Sequence, residues 1–266
     1  MGKKNNAEAR RRREEMVARR EADKRKVKKR QRTVLVALGV AGALVLGGGV
    51  AYAVKAGSSP SVSQLTSQTY AAPKHTSGTD GTTVTYGDKD SKNTLDVYMD
   101  MRCPYCAEFE QTDGTTIQKL ADDGDYKIVY HFGTFLDDNL GGTGSINALN
   151  ALGAALNVST DAFAEYQHVL WENHPDENDD KFSGNSDLID LAQQVPALKD
   201  NQSFNDAVNN GTYYPWAQKM SDQFGSSGVT GTPTVELNGK KLTVIDSDGK
   251  AISTSDFTKQ VEDRVK

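Results

Sequence analysis

Cys103-Pro104-Tyr105-Cys106 contains both cysteines of the chain. A disulfide across so short a loop removes little entropy from the unfolded state, so stapling is a poor explanation for the pair. Reversible thiol–disulfide exchange is a better one, because it needs two sulfurs that can meet and one that ionises readily. The tetrad follows an apolar strand-like run, Leu95 to Met101, and opens a helix-like one. Cys103 is therefore expected at a helix N-terminus, among unpaired backbone N–H groups and the positive end of the dipole. Arg102 is expected to add a cation beside it. Pro104 suits the first helical turn, where a missing N–H costs nothing. Cys103 is the candidate nucleophile, solvent-reachable and easily ionised, and Cys106 is the more buried resolving thiol.

Other chemistry is less well supported by the residues. A closed zinc site needs four ligands, which two cysteines and scattered histidines do not supply, so no metal or cofactor is expected. His131 ends a predicted strand and is read as structural, while His75, His168 and His174 are read as facing solvent. Asp137-Asp138 and the run Asp176 to Asp180 have the character of surface loops and lack the spacing of a calcium loop.

The elements that must hold the tetrad follow from periodicity. Leu95, Val97 and Met99 alternate with Asp96, Tyr98 and Asp100, which predicts a strand over 94–101. A helix is expected from Pro104, with Phe109 on its buried side, a break at Thr112–Gly114 and a helical continuation from Thr116 to Leu120. Residues 126–132 read as a second strand, completing a right-handed βαβ unit with the tetrad where strand feeds helix. A weaker strand is expected at Thr83 to Tyr86. Residues 143–225 carry helical periodicity around Leu149, Leu152, Phe163 and Tyr166, with Trp171 and Trp216 as core residues, and are too long for a loop. Ser203-x-x-Asp206 predicts a cap opening one of these helices. Asn238-Gly239 between alternating apolar residues predicts a hairpin. Ser253-x-x-Asp256 predicts the cap of a last helix.

Charge divides the chain. Residues 1–32 hold 15 Lys/Arg and 5 Asp/Glu, a net of +10 against a chain total of −5, which leaves −15 for the remainder. Thr33 to Val54 is 22 residues without a charge, enough to cross a membrane. The basic block then sits in the cytoplasm, drawn to anionic lipids, and the catalytic part lies outside as a single-pass protein. Cleavage after Ala51-Tyr52-Ala53 is the competing expectation. No aromatic residue interrupts the basic block, which leaves no stacking surface for nucleic acid. Residues 55–81, rich in Ser, Thr, Gly and Pro, predict a flexible tether ahead of a folded part at 82–266.

With Tyr98 to Cys106 and Gly228-Val229-Thr230-Gly231-Thr232-Pro233-Thr234 in this order, the chain resembles the DsbA-like thiol–disulfide oxidoreductases over roughly 82–266. The anchor resembles the tethered forms of Gram-positive, especially actinobacterial, envelopes. The resemblance implies an α/β thioredoxin fold with an inserted helical subdomain, here preceded by a single transmembrane helix. It implies that Pro233 is cis, that its turn abuts the tetrad, and that Thr232 offers backbone hydrogen bonds to an extended substrate. Pro104 and Tyr105 are implied to tune the thiolate. Many relatives carry a buried acid six residues before the first cysteine; Val97 stands there in this chain. The activity implied is disulfide formation in reduced exported proteins. Turnover needs a quinone-linked membrane reoxidase of the DsbB or vitamin-K-epoxide-reductase (VKOR) kind. A reductase or isomerase, and a redox-inert holdase, are the alternatives.

Overall fold

The computed structural model describes residues 65–265. The basic block and the predicted span 33–54 lie outside these residues. Among the described residues no helix is long and apolar enough to cross a membrane.

The centre is a five-stranded sheet in the order β1-β3-β2-β4-β5, with β1 at Val84–Tyr86, β2 at Thr94–Asp100, β3 at Lys127–Gly133, β4 at Thr234–Leu237 and β5 at Lys240–Lys241. Strand β2 is buried on alternate residues, Leu95, Val97 and Met99, as its period of two requires. Each such side chain contributes on the order of 2 kcal/mol by leaving water. β2 runs parallel to β3 and antiparallel to β4. Helix α1, Pro104–Asp122, makes the crossover from β2 to β3. Asn238 and Gly239, both at positive φ, turn the hairpin between β4 and β5. The opposite face of β2 places Asp96 against His131 at 2.9 Å and stacks Tyr98 on the same ring. His131 is therefore structural, as its place on the strand suggested.

Between β3 and β4 the chain forms α2 (Phe135–Leu140), α3 (Gly144–Val158), α4 (Thr160–Glu172), α5 (Asn185–Ala192), α6 (Gln202–Asn210) and α7 (Tyr214–Ser226). Helix α3 is buried on nearly every side. Its two interior asparagines find partners: Asn147 bonds the Phe182 carbonyl and the Tyr214 hydroxyl, and Asn150 the Val208 carbonyl and the Tyr213 N–H. Trp171 and Trp216 are core residues. A Cβ on Gly153 would lie 3.0 Å from the Trp216 ring, so the close approach of α7 needs glycine there. The last helix, α8, spans Thr254–Glu262 and is capped by Ser253, as predicted.

Four local expectations are corrected. Helix α1 does not break at Thr112–Gly114. Asp113 and Gly114 are poor helix formers, yet both are buried, and a Cβ on Gly114 would meet the Glu110 carboxylate at 2.6 Å. Tertiary packing overrides propensity here. Helix α6 is capped by Asn201, whose side chain accepts the Phe204 N–H, and Ser203 lies inside the helix. The tether expectation for 55–81 fails from residue 65 onward. Gln68 donates to the Asn210 carbonyl, the Lys74 N–H to the Asn157 side chain, and Trp216 Nε1 to the Gly81 carbonyl at 2.6 Å, which lays this polar segment along the helical insertion. Finally, His174 is half-buried and stacks on Trp171, and burial lowers its pKa to about 4; His168 is half-buried too.

Candidate active site

Asp100 ends β2 and shapes the turn into the tetrad. Its Oδ1 accepts from the Arg102 N–H at 3.0 Å and the Ser145 hydroxyl at 2.5 Å, and its Oδ2 from the Leu136 N–H at 3.0 Å. Its carbonyl takes the Cys103 N–H at 2.9 Å. The approach to the thiols is thus fixed from β2, α2 and α3 together. Burial pushes the Asp100 carboxyl up to about 6 despite these hydrogen bonds, which favour its ionised form.

Cys103 is the N-cap of α1, and Pro104 is in its first turn. Both thiols are free. Cys103 Sγ accepts from the Cys106 N–H at 3.4 Å and donates to the Thr232 carbonyl at 3.4 Å. The Thr232–Pro233 bond is cis. The Cys103 pKa is lowered, first by a hydrogen bond from the Cys106 thiol and further by the Thr232 side chain and the Cys106 and Tyr105 backbone, with burial opposing them. Cys106 moves the other way: burial, and then its bond to Cys103, raise it well above the ordinary thiol value. The pair is therefore divided, with one sulfur that ionises first and one that holds its proton.

Cys103 is 4 % exposed and Cys106 0 %, so the first sulfur is less open than its place at a helix start suggested. The turn of Thr232 and Pro233 lies against it. Tyr105, by contrast, is 51 % exposed.

Arg102 departs further from expectation. Its guanidinium is buried and turned away from the thiols, with Nη1 at 3.2 Å from Asp137 and 3.5 Å from Asp180. It also donates to the carbonyls of Gly141 and Glu177. Asp137 accepts the Ser145 and Ile146 N–H groups, and Asp180 those of Thr143 and Gly144. One cation and two carboxylates thus sit at the first amides of α3, where negative charge is favoured. Arg102 is not among the principal causes of the Cys103 shift. The two aspartates belong to the clusters read as surface loops, but Asp137 is buried and Asp180 half-buried. Their only sequence signal was the helix that starts soon after the first of them.

Glu110, one turn beyond Cys106, carries no signal in the sequence, because a glutamate in a helix is ordinarily exposed. Here it is buried and accepts from the Gln167 side chain at 3.3 Å. Burial, with the nearby Asp113 charge, pushes its pKa up to about 8. A carboxyl raised on folding stabilises the folded chain fully below its unfolded pKa of about 4.3, and that stability is lost as pH rises through the folded value. Asp100 acts in the same sense at lower pH. Glu110→Gln is therefore expected to flatten the decline in stability between about pH 4.3 and about pH 8, read by urea denaturation at each pH. Parallel curves for the two proteins would refute the assignment.

The thioredoxin family model matches residues 79–263. No curated protein sequence matches the chain. Among solved structures, it is similar to the MdbA thiol-disulfide oxidoreductase of Actinomyces oris, at 22% identity and a TM-score of 0.60 over 72% of this chain and 92% of that one. BdbD of Bacillus subtilis aligns at 22% identity and 0.57, over 73% of this chain and 98% of that one. DsbA of Mycobacterium tuberculosis aligns at 23% identity and 0.55, over 73% and 90%. At such identities the likeness is one of fold.

Proposed function

The chain belongs to the thioredoxin family, and from that premise we propose that it is an extracytoplasmic thiol–disulfide oxidoreductase working through Cys103 and Cys106. One observation carries the proposal: the divided pair, with Cys103 held between the Cys106 N–H and the Thr232 carbonyl at 3.4 Å each.

The direction that fits this division is oxidation. In the disulfide form, a substrate thiolate attacks Cys103 Sγ; the Cys103–Cys106 bond breaks, and Cys106 leaves with the electron pair and takes a proton. A second substrate thiol, losing its proton, then attacks its own partner sulfur and expels Cys103 as thiolate. Two substrate thiols become one disulfide, and the enzyme holds the two electrons. A stabilised Cys103 thiolate favours the reduced enzyme, which makes the oxidised form a good acceptor. Thr232 presents its backbone to the substrate as an added strand would.

Residues 33–54 serve in this proposal as a single-pass anchor and residues 1–32 as a cytoplasmic tail on anionic lipids. The substrates are reduced exported proteins. Turnover passes the electrons to a quinone-linked reoxidase in the membrane, of the DsbB or VKOR kind. Equilibrated with glutathione buffers, the full chain is expected to show a potential near about −120 mV, and a value near about −270 mV would point to a reductase instead. Failure of the disulfide form to oxidise reduced RNase would overturn the oxidative direction.

A further inference from the structure

A groove of about 400 Å³ opens beside the thiol pair, lined by Tyr105, the Thr232–Pro233 turn and residues 245–249. The wall formed by residues 245–249 is fixed. Leu242 and Val244 root it in the core, and Ile245 bridges to Ala251. Asp246 Oδ1 accepts the N–H groups of Asp248 at 2.8 Å and Lys250 at 3.0 Å. Gly249 lies at φ +78, and a Cβ there would be 2.9 Å from the Tyr105 ring, so the ring leaves no room for a side chain at this point of the loop.

The charge of the groove is one-sided. Its two ionisable carboxyls are Asp246 and Asp248, both exposed. Lys250, the nearest cation in sequence, is drawn off to Glu108 on α1 at 3.4 Å. The field of the molecule has the same sign, since residues 33–266 carry −15 after the +10 of the basic block is set against the total of −5. An open aromatic ring beside two carboxylates suits a side chain with an apolar stem and a cationic head.

We propose that this groove makes the enzyme select cysteines flanked within two residues by Lys or Arg, with the stem on Tyr105 and the charge facing Asp246 and Asp248. The selection rests on the thiol exchange proposed above and names its substrate class. A chain running extended past Thr232 enters the groove next, so the residues flanking the reacting cysteine meet these three side chains.

The test uses the disulfide form of the full chain and three synthetic dithiol peptides that differ only in Lys, Gln or Glu beside the first cysteine. Rates of oxidation are followed by stopped-flow fluorescence. At low salt the Lys peptide is expected to react roughly tenfold faster than the Glu peptide, as two solvent-exposed carboxylates acting on opposite charges allow. The ratio should fall toward one in D246N/D248N. Asparagine keeps the side-chain oxygen that holds the loop together, and the ratio does not depend on the variant's absolute activity. Equal rates for the three peptides would overturn the proposal and leave the oxidoreductase function standing. So would a ratio that survives in the double variant, because the preference would then come from elsewhere. If none of the peptides is oxidised, the thiol-exchange function fails and the selection fails with it.

Discussion

Cys103→Ser is expected to abolish oxidation of reduced RNase while leaving the fold intact. A hydroxyl fills the same cap position and accepts the same N–H bond that Cys103 Sγ takes from Cys106. It forms no disulfide, so the electron pair has nowhere to go. Binding of unfolded chains, measured in parallel, separates two outcomes. If the variant loses oxidation but keeps any such binding, the exchange function holds. If the wild type oxidises nothing yet binds unfolded chains as well as the variant does, the chain is a holdase. Cys106→Ala provides an independent check. The thiol that chiefly lowers the Cys103 pKa is then gone, so Cys103 should titrate at higher pH by thiolate absorbance. An unchanged titration would show that the helix start alone sets the acidity.

Arg102→Ala should destabilise the protein by about 3–5 kcal/mol, the range for breaking a buried ion pair from one side. Asp137 would be left as a buried carboxylate without its cation, and Asp180 would lose the same partner. Urea denaturation measures the loss. The Cys103 titration should stay where it is, because Arg102 faces the helical insertion rather than the sulfur. A shifted thiol with unchanged stability would restore the role that sequence position suggested for this arginine. Arg102→Lys is expected to recover only part of the stability, since an ammonium cannot span Asp137, Asp180 and two carbonyls as a planar guanidinium does.

How far the sequence carried depends on the range of the forces involved. Strand β2 was legible from the alternation of Leu95, Val97 and Met99, because a period of two is a local property of the strand. The hairpin at Asn238-Gly239 and the cap at Ser253 were legible for the same reason: each feature is decided within a few residues. The thiol pair and the Thr232–Pro233 turn were read correctly as neighbours only through the family resemblance, since 129 residues separate Cys103 from Thr232. What was missed is tertiary. The propensities of Asp113 and Gly114 argued for a break in α1, and only the Glu110 carboxylate packed over Gly114 explains the unbroken helix. Asp137 and Asp180 looked like solvated loop acids because their partner, Arg102, lies far away in sequence. The segment from residue 65 to 81 has the composition of a tether, and its polar groups are used by Asn157, Asn210 and Trp216, which composition does not reveal.

The junction at Arg102 bears on how such chains can be recombined. The residue next to Cys103 is held by acids that also cap the leading turn of α3. Helices α3 to α7 are consequently not a cassette that can be exchanged alone for those of a relative. A chimera made at the ends of residues 143–225 would separate Asp137 from Asp180, leaving the guanidinium dependent on whatever the donor supplies. Grafts that carry Arg102, Asp137 and Asp180 as a set should express and fold, and those that divide the set should aggregate.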